Sequence, residues 1–248
     1  MTLRASLLSA VFVALCGQAI ADEGSAAFDG DPILDLRLRA EQVDQNGLDE
    51  TTALTLRARF GYQANFGQGW SALAEGEGVI ALSDNYSDTI DNIPGKAIIA
   101  DPETLELNRL QLGWKGDAGS ATLGRQRIIF DDARFVGNVG FRQNEQTFDA
   151  LRLGTKLHDA VTLEYVYIDG VRRIFGDDSP MGEFESDSHI VRAGTETPFG
   201  KLSAMALLLD FSNAPGASSQ TYVARWTHNW SSPIGKLDGR IEMARQSD

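Results

Sequence analysis

Three histidines occur in this sequence of 248 residues: His158, His189 and His228. They lie far apart, and none shows the spacing of metal ligands. Ser188-His189 has two members of a hydrolase triad side by side, but nothing in the sequence supplies a third. These are read as surface or turn histidines, with no enzyme, no metal and no cofactor expected. The acidic run from Asp177 to Asp187 lacks the EF-hand spacing. A solvated acidic loop is therefore expected there rather than a calcium site. Asn85-Tyr86-Ser87 and Asn229-Trp230-Ser231 match the glycosylation sequon, a pattern too short to carry a function by itself.

The chemistry that remains is arginine. Arg37, Arg39, Arg57, Arg59, Arg109, Arg125, Arg127, Arg152, Arg192, Arg225 and Arg240, with Lys156, fall inside alternating apolar and polar stretches. The segments between those stretches are acidic. Residues 83–103 hold Asp84, Asp88, Asp91, Asp101 and Glu103 against Lys96, and residues 169–187 hold six acids against Arg172 and Arg173. A guanidinium always carries its charge and holds carboxylates in a fixed geometry, so a row of arginines on a wet wall favours anions. The competing reading is that these arginines pair with Glu75, Glu77, Asp149, Glu164 and Glu242 on the same wall.

The elements that must position the arginines show a two-residue period. From Ala53 to Phe66, Leu54, Leu56, Ala58, Phe60, Tyr62, Ala64 and Phe66 fall on one side, and Thr55, Arg57, Arg59, Gln63 and Asn65 on the other. The pattern recurs at Leu34–Glu41, Trp70–Ile80, Leu110–Lys115, Leu151–Leu157, Leu163–Tyr167, Val191–Thr195, Tyr222–Trp230 and Leu237–Met243. With Ser120–Phe130 and Leu202–Phe211 it gives about eleven strands, several near the length a tilted strand needs to cross a bilayer. Leu105 and Leu107 are out of phase with Leu110 and Leu112, which a bulge would explain. Leu202–Leu209 is apolar on both faces.

Connections alternate in length. Tight turns are expected at Gly67-Gln68-Gly69, Gly116–Gly119, His158–Ala160, Thr197–Gly200 and Ser232–Ile234. Long connections are expected at 42–52, 83–103, 131–146, 169–187 and 212–219. Outer-membrane barrels have tight periplasmic turns and long outside loops, an asymmetry that a soluble sandwich has no reason to keep. Trp70, Trp114, Phe66, Phe199, Trp226 and Trp230 lie near the short-turn ends, as an interfacial girdle would. Arginine on a lipid-facing position near the midplane costs about 2–4 kcal/mol, so the arginine side must face a lumen. The candidate pore-lining residues are Arg57, Arg59, Arg109, Arg125, Arg127, Arg134, Arg142, Arg152, Lys156 and Arg192. Residues 131–146 carry Arg134, Arg142, Asp131, Asp132 and Glu145. They suit a segment folded into a polar lumen.

Composition bounds the rest. Arg4, the apolar Leu7–Leu15 and Ala19-Ile20-Ala21 read as a cleaved signal peptide over residues 1–21. Cys16 raises a lipoprotein alternative, which the bulky Leu15 before it disfavours. No other cysteine exists to cross-link the exported chain. The net charge is −13, which speaks against a nucleic-acid partner. No run is long enough for a transmembrane helix.

One segment carries a resemblance. Gly124-Arg125-Gln126-Arg127-Ile128-Ile129-Phe130-Asp131-Asp132-Ala133-Arg134-Phe135-Val136-Gly137 and its continuation Asn138-Val139-Gly140-Phe141-Arg142-Gln143-Asn144-Glu145-Gln146-Thr147-Phe148-Asp149-Ala150 resemble the alginate-export family of outer-membrane porins. The similarity is strongest from Leu105 to Phe175. It implies a barrel of about eighteen strands with an arginine-lined pore. The fold expectation is therefore all-β, an antiparallel up-and-down transmembrane β-barrel. Residues 22–248 form one barrel domain whose C-terminal part is missing, with Leu34–Glu41 and Lys236–Ala244 as free edges. The functional expectation is a porin in the bacterial outer membrane that passes small polar or anionic solutes, acidic sugars among them. The alternative is a plugged structural or surface-interaction barrel.

Overall fold

The computed structural model describes residues 29–83, 85–157, 160–233 and 235–247. The signal peptide and Cys16 lie outside the described residues. Among the described residues, eleven strands form one sheet in strict chain order: β1 (Asp29–Val43), β2 (Thr51–Phe66), β3 (Trp70–Ala81), β4 (Thr104–Gly116), β5 (Gly119–Gln126), β6 (Thr147–Leu157), β7 (Val161–Arg172), β8 (Glu183–Thr197), β9 (Gly200–Leu209), β10 (Ser219–Ser232) and β11 (Gly235–Ser247). The strands run up and down and antiparallel, and the sheet is unclosed, with β1 and β11 as its edges. A single 3-10 turn, Pro215–Ala217, breaks the β9–β10 connection. Contacts gather the chain into two compact units. Among the described residues, the first holds those up to Leu112, Gly124–Phe148 and Val171–Glu183; the second holds Gly113–Leu123, Asp149–Gly170 and those from Phe184 onward.

Burial in the first unit is inverted relative to a water-soluble sheet. On β2, Arg57 is 5% and Arg59 8% exposed, while Phe60 is 52% exposed. Leu34, Leu36 and Leu38 on β1 and Ile80 on β3 are exposed on the same side as Phe60, and Glu75 and Glu77 are buried on the other. A soluble protein buries the aliphatic face and wets the charged one. An extended apolar face of this kind marks a surface made for an apolar neighbour. The β1–β2 register places Asp35 opposite Arg59 and Arg37 opposite Arg57.

Turn chemistry follows the sequence. Between β2 and β3, Gln68 and Gly69 both take left-handed φ, 63° and 84°, the backbone that lets two twisted strands reverse tightly. The strands overrun some expected ends. β7 reaches Arg172 and β8 starts at Glu183, so the expected 169–187 loop narrows to 173–182. Arg172 on one strand bonds Glu183 on the other at 2.6 Å, extending the pairing. β5 stops at Gln126 instead of Phe130. The backbone leaves the sheet because Ile128 and Phe130 are buried and the Phe130 N–H donates to Val136 O at 3.0 Å.

Both irregular strands have physical reasons. On β4, Leu105, Leu107, Leu110 and Leu112 are all exposed, although their parity changes midway. The change falls at Asn108-Arg109, where two successive side chains both turn to Glu75, the two-for-one arrangement of a bulge. On β9, Met205 and Leu207 are buried while Leu202 and Leu208 are exposed. The inner face of the second unit carries an apolar band there, with Val166, Ile168, Ile190 and Val223.

Candidate functional site

In the first unit the connection from 127 to 146 does not extend away from the sheet. It lies back on the polar face of β1–β4, and its backbone is held by strand side chains. Arg37 donates to the carbonyls of Gly140, Phe141 and Arg142 at 3.0, 2.7 and 2.9 Å. That use of its donors lets Arg37 stand opposite Arg57, whose own guanidinium pairs with Asp35. Gln143 is fully buried. Its amide donates to Thr55 Oγ1 at 2.8 Å and Thr55 O at 3.0 Å, and its N–H to Asp101 at 2.9 Å.

Glu145 is the centre of this arrangement. Its carboxylate accepts from Arg127 Nε and Nη2 at 2.6 and 2.5 Å and from Asn108 and Asn138 at 2.7 Å each, with Arg59 at 3.7 Å. Burial alone would raise its pKa, but the Arg127 hydrogen bonds and the Arg59 and Arg127 charges outweigh it and hold the carboxyl at about 2. Asp101 is buried between Arg39 and Arg142, which also reaches Glu41 at 2.9 Å. Asp101 is thus not a solvated loop acid, as the acidity of its segment implied. Burying each carboxylate without its arginines would be prohibitive.

Asp131, Ala133 and Val139 all take left-handed φ, at 53°, 61° and 51°. A β-branched residue there is a strained outlier, and such strain of about 1–3 kcal/mol persists only where the surroundings impose it. Here the Arg142 N–H on Val139 O, at 3.0 Å, and the Arg37 clamp supply that constraint.

The candidate residues therefore divide. Arg57, Arg59, Arg109, Arg127 and Arg142 come together around the inserted segment. Arg109 grips Glu75 with two bonds, at 2.8 and 2.7 Å, and Arg59 pairs with Glu77. Arg125 donates to Leu107 O at 2.9 Å. Arg134 stays exposed on the segment, 5.9 Å from the Phe135 ring. Arg152, Lys156 and Arg192 belong to the second unit. There Arg152 pairs with Glu164, Arg192 lies 3.9 Å from the same carboxylate, and Arg225 pairs with Glu242. The second unit also has a cleft of about 570 Å³, lined by Lys115, Ser120, Gly154, Lys156, Glu164 and Arg192 among others. Sequence reasoning missed Asn108, Gln143 and Lys115. Gln143 and Asn108 carry no charge pattern to find them by, whereas Lys115 falls on Arg109's parity and was within reach.

No protein-family model and no curated protein matches the chain. Solved structures do. OccAB4 of Acinetobacter baumannii superposes with a TM-score of 0.65 at 16% identity, over 86% of this chain and 57% of that one. OccK8 (OprE) of Pseudomonas aeruginosa gives 0.65 at 16% identity, over 88% and 54%. The outer-membrane protein OpdK of Pseudomonas aeruginosa gives 0.61 at 15%, over 88% and 57%. The fold is that of an outer-membrane porin sheet. The chain spans little more than half the length of these structures.

Proposed function

We propose that this chain forms the wall of an outer-membrane, porin-like channel for polar or anionic solutes, with residues 22–248 as one barrel domain and 127–146 as its constriction. The observation that carries the reading is the inverted burial: arginine–carboxylate pairs lie on the covered face, with Leu34, Phe60 and Ile80 exposed on the other. Lipid suits the exposed face, since apolar side chains there need no water. The similar structures are porins, channels rather than enzymes, and OpdK has been solved with vanillate. The pore wall is assigned Arg57, Arg59, Arg109, Arg125, Arg127, Arg134, Arg142, Arg152, Lys156 and Arg192. The Gly124–Ala150 motif adds the finer assignment, an alginate-export-like channel with acidic sugars among its solutes. Its export across the inner membrane uses the 1–21 signal peptide.

The density of bonds on the inserted segment favours a second reading, a barrel plugged by that segment. Reconstitution of the full-length protein in planar bilayers separates the two. A channel gives steady current with anions more permeant, and a plugged barrel gives none.

A further inference from the structure

The arginines of the first unit's polar face are already engaged. Arg57, Arg59, Arg109, Arg127 and Arg142 each hold a carboxylate, and Arg37 holds three carbonyls. An incoming anion gains little from a cation whose charge is spent. The lysines are placed differently. The chain has five. Lys96 lies in the β3–β4 connection beside Asp49. The other four, Lys115, Lys156, Lys201 and Lys236, sit at the short-turn ends of β4, β6, β9 and β11, all in the second unit and all exposed. Among the described residues, none of these four side chains makes an ion pair or hydrogen bond.

They also share a face. Side chains two apart on a strand point the same way. Lys115 follows Arg109 through Gln111 and Gly113, and Lys156 follows Arg152 through Gly154. Lys201 precedes Ser203 and the buried Met205, and Lys236 precedes Arg240 and the paired Glu242. Lys115 and Lys156 open into the cleft of about 570 Å³, a volume suited to a small organic ligand. Its room comes from a missing side chain: a Cβ on Gly154 would meet Ser120 Oγ at 2.9 Å.

Resting on the channel reading, we infer that this cleft is a binding subsite for a small dicarboxylate, with Lys115 and Lys156 each taking one carboxylate and Arg192 behind them. β4 and β6 flank β5 in the sheet, so the two lysines spring from strands about 10 Å apart. Two separated cations fit two separated carboxylates better than one compact anion. Asp117 and Glu164 are the acids of the cleft, set against Lys115, Lys156 and Arg192.

The test uses the full-length protein in planar bilayers, with succinate added to each side in turn. Succinate on the short-turn side blocks the current. The double variant K115Q/K156Q raises the half-blocking concentration about tenfold or more, the scale of one lost charged contact. Lys96→Gln leaves the block unchanged. Gly154→Leu fills the cleft without altering its charge and weakens the block as well. Inorganic phosphate at equal ionic strength blocks less than succinate. A block untouched by K115Q/K156Q, or phosphate as effective as succinate, overturns the inference. Absence of any current removes the channel reading instead, and the cleft is then judged by calorimetry of succinate binding to the detergent-solubilised protein. Heat lost in K115Q/K156Q supports the subsite, and no heat with the unmutated protein overturns it.

Discussion

A buried carboxylate shared by two arginines is the most sensitive point at the residue scale. Glu145→Gln removes the charge paired with Arg127 and leaves its guanidinium in place, while Arg59 keeps Glu77. Breaking a buried pair in this way costs about 3–5 kcal/mol, because the surviving cation has no counter-charge. Urea unfolding of the folded protein at pH 7 should show that loss, and a variant as stable as the parent would contradict the hub role of Glu145. Replacing Arg127 together with Glu145 by apolar residues should recover part of it. The pH dependence has a fixed sign. The folded carboxyl sits at about 2, below its ordinary 4.5, so its contribution is complete above pH 4.5 and fades as pH falls toward 2. The stability gap between parent and Glu145→Gln should close over that window. A gap that persists at pH 2 would mean that the carboxylate charge is not its source.

At the scale of elements, the inserted segment depends on Arg37. Arg37→Gln takes away the fork that holds Gly140, Phe141 and Arg142. Hydrogen exchange at 139–143 should then accelerate, and single-channel conductance should rise as the segment loosens. Unchanged exchange would show that Gln143 and Glu145 hold the segment without it. Much of this scale was legible in the sequence. Period-two alternation located all eleven strands, and the swing between short and long connections gave their up-and-down order, because both are local. The acids Glu75, Glu77, Glu164 and Glu242, read as available partners, do meet Arg109, Arg59, Arg152 and Arg225. What sequence did not show was non-local. The exit of the chain from β5 at Gln126 goes with the burial of Ile128 and Phe130 and the bond from Phe130 to Val136, which strand alternation does not mark. The burial of Asp101 depends on Arg39 and Arg142, which no short window contains.

For the whole molecule, the channel reading sets the exposed side chains Leu34, Phe60 and Leu110 of the first unit, and Ile241 and Met243 of the second, against lipid. The half-exposed Trp70 and Trp230 near the short turns should then lie at the headgroup level. Lipids brominated near the glycerol should quench their fluorescence more than lipids brominated at the chain ends, and quenching by an aqueous quencher alone would place the sheet outside the bilayer. Protease added to intact cells should cut in 44–50 or 173–182 and spare Gly67-Gln68-Gly69. Cleavage at that turn would invert the topology. The most direct test of the central claim is the reversal potential of the full-length protein across a planar bilayer in a salt gradient. The account predicts a steady current whose reversal potential shows anions to be more permeant than cations. A sealed bilayer, or cation preference that survives neutralising the loop acids Asp88, Asp91, Asp177 and Asp178, would contradict it.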